Sequence, residues 1–141
     1  MLPVLLHLVC RIGIMDEIFN LGLDNLSHIG DNTVHYQIEI YRKENAREPY
    51  SEWFDRLRDH ALRVRVRKRL VELGRGNWGD YKSVGSKVFE LRCHFGGGLR
   101  IYFLRDGKKI IVLLCGGNKN TQERDIRQAI EYAKNYVKNK G

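Results

Sequence analysis

The chain has 141 residues, of which 43% are hydrophobic, enough for one core and too few for a second catalytic domain. Twenty-five lysines and arginines against 17 acidic residues give a formal net charge of +8, which favours a polyanionic or acidic partner. The three cysteines lack the spacing of a metal site or a disulfide framework. We therefore expect a reduced, cytoplasmic protein with no metal and no cofactor.

The first 33 residues differ from the rest because they show no clear hydrophobic period. We expect residues 1–33 to be an N-terminal extension of unknown role and residues 34–141 to be the folded domain. The apolar opening Leu2–Ile14 is too short to span a membrane and lacks the basic segment and cleavage site of a signal peptide. A start at Met15 and a short helix over Ile14–Leu26 are both compatible with this segment. Residues 1–34 carry one arginine and four acidic residues, so the basic charge belongs to the domain.

The pattern from Val34 onward predicts a strand followed by two helices. Apolar and polar residues alternate over Val34–Tyr41, which is the period of a half-buried strand. Pro49 is typical of a first helical turn, and the apolar spacing that follows predicts a helix to Leu57. A second amphipathic helix is predicted over Ala61–Leu73, and Gly74 ends it.

Three strands and a helix complete the predicted order. The strands are Val88–Phe95, Leu99–Leu104 and Ile110–Cys115, of which the last is an uninterrupted apolar run expected of a strand buried on both faces. Thr121 is placed to cap the last helix. The apolar stripe predicted for that helix consists of Ile126, Ile130, Ala133 and Val137. We expect an α+β fold: a small, mainly antiparallel four-stranded sheet with two N-terminal helices and one C-terminal helix.

The strand register separates two faces of this sheet. If the apolar set beginning at Phe89 and Leu91 meets the helices, the opposite face is polar. That polar set consists of Glu90, Arg92, His94, Arg100 and Tyr102. We expect this face to be partly exposed and to carry the function. Charges on strands also serve to limit aggregation, so the pattern alone leaves both interpretations of the two arginines open.

Several motifs occur in a fixed order along the domain. They are Trp53–Asp59, Gly76–Gly85, the Phe-Glu-Leu-Arg of Phe89–Arg92, the Leu-Arg-Ile-Tyr-Phe of Leu99–Phe103, and Leu113–Gln122. Together they resemble the addiction-module killer (HigB-like) group of the RelE/ParE toxin superfamily. The resemblance covers Val34 to Asn139 and does not extend to the N-terminal extension.

The resemblance implies a RelE-like fold and a role as the toxin of a type II toxin–antitoxin system. It implies a cognate helix-turn-helix antitoxin as partner, and the ribosome and messenger RNA as targets of an endoribonuclease that inhibits translation. Two alternatives stay open: a ParE-like inhibitor of DNA gyrase, and a non-catalytic RNA-binding relic of the fold.

Cleavage of RNA by its own 2′-oxygen requires a proton acceptor, stabilisation of a charged phosphorane and a donor for the leaving 5′-oxygen. Arginine suits the second task because its planar fork binds phosphate bidentately. The resemblance assigns Arg100 and then Arg92 to the phosphate, and it adds Lys119 and Lys82 as basic positions. His94 is the candidate for proton transfer, although a lone strand histidine is often merely exposed.

Other polar residues are candidates for RNA binding. Glu90 is expected among the arginines, where it orients them by ion pairing, and Tyr102 is a candidate for stacking on a base. Arg63, Arg67 and Lys68 belong to a run of cations on the paired helices, and this run is expected to contact ribosomal RNA. The alternative for each is an ordinary structural or solvated side chain.

Overall fold

The computed structural model describes residues 35–140, so the expected extension over residues 1–33 lies outside the described residues. Within that range the chain forms five strands and three α-helices. They are β1 Gln37–Ile40, α1 Pro49–Arg56, α2 His60–Gly74, β2 Tyr81–Gly85, β3 Val88–Arg92, β4 Leu99–Asp106, β5 Ile110–Asn118 and α3 Gln122–Lys140. A single 3-10 turn, Lys119–Thr121, joins β5 to α3.

The strands form one sheet in the order β1-β5-β4-β3-β2. β1 runs parallel to β5, and the other neighbours are antiparallel. The α+β fold is confirmed, but the predicted four strands are wrong in number because β2 was not anticipated. This edge strand is exposed at every position except the half-buried Val84, so it lacks the alternation that identifies a strand with one buried face.

Helices α1 and α2 pack on one face of the sheet. Phe54 of α1 and Leu70 of α2 belong to the same buried cluster as Leu91, Ile101 and Phe103, so the predicted orientation of β3 and β4 is confirmed. Close approach of α1 depends on a glycine of β5. A Cβ at Gly116 would overlap the indole ring of Trp53, so the missing side chain lets the helix lie directly on the strand.

Helix α3 covers much of the opposite face. The sheet residues of this second core include Leu104, Val112 and Leu114, and they pack with Ala129 and Tyr132 of α3. The expectation of an exposed second face is therefore wrong over this area. The strands also carry apolar residues on this face, and α3 buries them. The predicted stripe of α3 is corrected at Val137, which is 58% exposed.

The start of α3 is pressed against the sheet at a second glycine. A Cβ at Gly117 would overlap the carboxylate of Asp125, which is itself buried. Asp125 also accepts a hydrogen bond from Thr121 and so ties the 3-10 turn to the first turn of the helix. The segment after β5 is thereby fixed beside the polar end of the sheet. Over residues 35–140, no helix is both long and apolar enough to cross a membrane.

Candidate functional site

A polar surface remains where the first turn of α3 meets β3 and β4. Arg92 and Arg100 are direct partners in the antiparallel register, as are Glu90 and Tyr102. Residues opposite each other on neighbouring strands project to the same face, so all four side chains share one face. Lys82 of β2 lies opposite Glu90 and extends the row to the edge of the sheet. The register therefore brings together most of the polar set predicted from sequence.

The carboxylate of Glu90 is the centre of this surface. Its Oε1 accepts a hydrogen bond from Nε of Arg92 at 3.0 Å and lies 3.8 Å from Nε of Arg100. Its Oε2 accepts from the hydroxyl of Tyr102 at 3.1 Å and from Nε2 of Gln122 at 2.8 Å. Both oxygens are thus occupied, one by the arginines and the other by neutral donors.

Electrostatics favour the charged form of this carboxylate. Burial raises the pKa of Glu90, but hydrogen bonds from Gln122, Arg92 and Tyr102, with the charge of Arg100, outweigh burial and hold the pKa below its usual range. The Glu90 hydrogen bond in turn raises the pKa of Arg92. Burial and the Glu90 charge raise the pKa of Tyr102, so its hydroxyl remains a donor. The site is therefore two cations around one buried anion.

Arg100 reaches from this centre toward the turn after β5. Its Nη1 donates to the carbonyl oxygen of Gly98 at 2.7 Å, and its side chain is only 14% exposed. A Cβ at Gly98 would lie 3.1 Å from Arg100 Nη1 and 3.5 Å from Cβ of Lys119. A side chain at Gly98 would therefore contact both residues, and its absence leaves room for the Arg100 guanidinium next to the Cβ of Lys119. The structure brings together Arg100 and Lys119, which lie far apart in sequence.

Lys119 itself is exposed and begins the 3-10 turn. Asn118 caps this turn: its Oδ1 accepts from the backbone N–H of Asn120 at 2.8 Å. The hydroxyl oxygen of Thr121 accepts from the backbone N–H of Asn118 at 3.2 Å. These reciprocal bonds fix the backbone that carries the lysine, while its ammonium group faces solvent.

His94 lies just beyond the end of β3, where it pairs with a residue that sequence reasoning did not select. Its Nε2 is 2.6 Å from Oδ2 of Asp80. The backbone of Asp80 meanwhile accepts a hydrogen bond from the N–H of Arg92 at 3.0 Å, which places the pair beside the arginine. Because an ionised carboxylate only accepts, this contact is a hydrogen bond from Nε2, and in the neutral ring Nδ1 is then the nitrogen that accepts a proton.

Two predicted RNA contacts do not fit their positions. Glu90 and Tyr102 have no solvent exposure, because Gln122 and the start of α3 cover them. Neither side chain reaches RNA on the surface as described. The base-stacking role predicted for Tyr102 is therefore wrong, whereas orientation of the arginines by Glu90 agrees with its contacts.

The three helix cations predicted to contact RNA all lie on α2, and their environments differ. Arg63 donates from Nε to the carbonyl oxygen of Leu57 and from Nη2 to that of Asp55 at 2.7 Å, so it satisfies the end of α1. The Arg67 guanidinium lies 5.2 Å from the ring centroid of Phe54. Lys68 is exposed. The predicted surface is therefore corrected: Lys68 is free to meet a polyanion, while Arg63 is used within the fold.

Gln122 and Asp80 are the site residues that sequence reasoning missed. Gln122 follows the turn, at the end of a motif that drew attention to Lys119, and its partner Glu90 lies 32 positions away. No periodic pattern links two such positions. Among residues 35–140, no group of three or more histidine, cysteine, aspartate or glutamate side chains is arranged to hold a metal ion.

Comparison with known proteins relates this chain to a protein family and to a bacterial protein. The sequence model of the phage-derived, Gp49-like protein family (DUF891) matches residues 52–138, which is more than half of the chain. An uncharacterised protein of Haemophilus influenzae is 39% identical over 80 residues, which cover 57% of this chain and 81% of that protein. The family match includes α2, all the site strands and the turn that carries Lys119.

Proposed function

Because the chain belongs to the Gp49-like family of phage-derived proteins, a toxin-like family of toxin–antitoxin systems, we propose that it is a ribosome-dependent messenger RNA endoribonuclease of the HigB-like kind. The observation that carries this proposal is the arginine pair at Arg92 and Arg100, held by an ionised carboxylate beside Lys119. Two arginines on one face of the sheet, with a lysine on the adjacent turn, supply positive charge for a phosphorane, which neutral strand residues would not stabilise.

The cleavage step divides among these residues. The 2′-oxygen forms a bond to phosphorus and the bond to the 5′-oxygen breaks, which leaves a 2′,3′-cyclic phosphate and a free 5′-hydroxyl. Arg100 and Arg92 stabilise the charge on the non-bridging oxygens in the phosphorane. His94 accepts the 2′ proton at Nδ1, and the ammonium of Lys119 neutralises and protonates the leaving 5′-oxygen. The ribosome supplies the alignment of the RNA, so free RNA is a poor substrate.

Two further partners belong to this proposal. A cognate helix-turn-helix antitoxin keeps the toxin silent, and its acidic or amphipathic segment excludes RNA by covering basic surface. Exposed cations such as Lys82 and Lys68 contribute sequence-independent contacts to ribosomal RNA. Localisation in the cytoplasm, where translating ribosomes are found, follows from this target.

The proposal is tested by inducing the protein in cells without the antitoxin and mapping the 5′ ends of messenger RNA. We expect growth arrest with new ends inside translated codons, and an Arg100→Ala variant should produce neither. Intact messages with blocked gyrase supercoiling would contradict the proposal in favour of gyrase inhibition. Intact messages with normal growth would indicate a non-catalytic relic of the fold.

A further inference from the structure

Gln122 stands out because it contacts the centre of the site from outside the sheet. Tyr102, Arg92 and Arg100 all reach Glu90 from β3 or β4, whereas Gln122 is the first residue of α3. Its Nε2 donates to Glu90 Oε2 at 2.8 Å, which is shorter than the bonds from Arg92 and Tyr102 to the same carboxylate. The amide thereby joins the helix to the carboxylate that holds both arginines.

The arginines depend on this carboxylate for their arrangement. Like charges directly opposite each other on neighbouring strands repel, and Arg92 and Arg100 occupy such positions. Glu90 Oε1 lies within ion-pair distance of both, so its position sets the separation of the two guanidinium groups. The two oxygens belong to one planar carboxylate, so hydrogen bonds to Oε2 also orient Oε1. Tyr102 and Gln122 donate those hydrogen bonds.

The same contact fixes the third cation. Lys119 and Gln122 are three residues apart, on the 3-10 turn and at the start of the helix that follows it. A bond from Gln122 to the sheet therefore also fixes the turn relative to β3 and β4. The ladder between β5 and β4 already places Asn118, next to Lys119, opposite Leu99. The amide of Gln122 adds a direct bond between this segment and the carboxylate that holds the two strand cations.

We infer that Gln122 is a positioning residue that holds Arg92, Arg100 and Lys119 in one phosphate-binding arrangement through Glu90. The inference rests on the proposed function for its consequence in catalysis. Its geometric part does not need that function, because it concerns the orientation of arginine side chains in the protein alone.

The test compares Gln122→Met, Gln122→Glu and a matched control, Gln128→Met, in the full chain. Met has a similar length to Gln but cannot donate, and Gln128 is exposed on the same helix. With programmed ribosomes, we expect Gln122→Met to lower kcat by roughly 10- to 100-fold with KM unchanged, because small misplacements of reacting groups have effects of this size. Gln128→Met should match the wild type.

Gln122→Glu tests the positioning role through the pH dependence of activity, which a merely structural role of Gln122 would leave unchanged. It places a second carboxylate against Glu90, and two carboxylates in contact bind one proton more readily than either alone. The variant should therefore be inactive near neutral pH and regain activity relative to the wild type as the pH falls. If Gln122→Met keeps wild-type kcat, or Gln122→Glu follows the wild type at every pH, the inference is overturned.

A measurement without ribosomes separates this inference from the proposed function. The Nε–Hε resonance of Arg92 in nitrogen-15 spectra reports its bond to Glu90 directly. We expect Gln122→Met to shift or broaden this resonance and Gln128→Met to leave it unchanged. If the wild type cuts no messenger RNA but Gln122→Met shifts the resonance, the proposed function fails and the positioning role stands. An unchanged resonance in Gln122→Met would overturn the positioning role.

Discussion

Arg92 and Arg100 face each other across β3 and β4, and the two guanidinium groups are held around a carboxylate that no solvent reaches. Two like charges at paired strand positions destabilise a sheet unless a counter-charge lies between them. Glu90 supplies that charge, and its lowered pKa keeps it ionised at neutral pH. This arrangement favours an anionic ligand in front of the arginines.

Replacement of Arg100 by alanine should lower cleavage by about 100-fold or more, because one charged donor to the phosphorane is lost. Single-turnover cleavage of messenger RNA on programmed ribosomes measures this effect. Arg105→Ala is the matched control, since Arg105 lies on the same strand but is exposed and away from Glu90. Equal losses in both variants would show that the site is wrongly placed.

Gly98→Ala should reduce the rate of cleavage by more than its small loss of folding stability explains. The added Cβ would lie between the Arg100 guanidinium and Lys119, so it would change their separation. Gly97→Ala is the control: this neighbour also has a positive φ, yet its Cβ would meet nothing within 4 Å. Both variants should lose about 1 kcal/mol of stability from backbone strain. Only Gly98→Ala should lose activity, as measured by the same ribosome assay.

Glu90→Gln should remove a pH-dependent contribution to stability. The folded pKa of Glu90 is lowered, so its charged form stabilises the fold above the ordinary value of 4.5, and this contribution is lost as the pH falls through the folded pKa. Thermal unfolding should therefore show the variant less stable than the wild type at pH 7, with a difference that shrinks on acidification. A constant difference across this range would contradict the assignment.

Glu39→Gln should increase stability at neutral pH, which is the opposite of the effect expected for Glu90→Gln. Burial and the nearby charge of Asp106 raise the pKa of Glu39, so its ionisation opposes folding at neutral pH. The variant should unfold at a higher temperature than the wild type at pH 7 and lose this advantage as the pH falls below 4.5. A lower unfolding temperature at pH 7 would show that the hydrogen bond with Tyr136 outweighs burial.

The two kinds of helix cation should respond differently to substitution. Lys68→Ala should leave the unfolding temperature unchanged and reduce the salt dependence of ribosome binding, because an exposed cation contributes mainly by releasing counterions. Arg63→Ala should lower the unfolding temperature, since two carbonyl oxygens near the end of α1 lose their donor. Binding titrations at several salt concentrations and thermal melts distinguish the two. A stable Arg63→Ala variant would contradict its structural role.

Alternation in the sequence was enough to predict which residues of β3 and β4 face the helices, and with it the shared face of Arg92 and Arg100. It was not enough for β2, because Tyr81–Gly85 is an exposed edge strand without a buried face. The uninterrupted apolar run in β5 already indicated cover on both faces. The expectation of an exposed second face was therefore inconsistent with that run. In the structure α3 buries the second face of β5.

The strands β3 and β4 of the site could be predicted from the sequence, but the side-chain contacts between them and the neighbouring segments could not. The bond between Glu90 and Gln122 joins positions 32 apart, and it depends on how α3 docks after the 3-10 turn. The His94 and Asp80 pair depends similarly on a loop that precedes β2. Such contacts follow from tertiary packing, which local periodicity does not specify.

The most direct test of the central claim is the chemistry of the cut ends. Purified protein is mixed with programmed ribosomes, and both the 3′ and the 5′ ends of the messenger fragments at the cut are analysed. Attack by the 2′-oxygen predicts a 2′,3′-cyclic phosphate on the upstream fragment and a 5′-hydroxyl on the downstream one, with neither produced by Arg100→Ala. Uncut messenger with the wild-type protein, or equal cleavage by Arg100→Ala, would contradict the account.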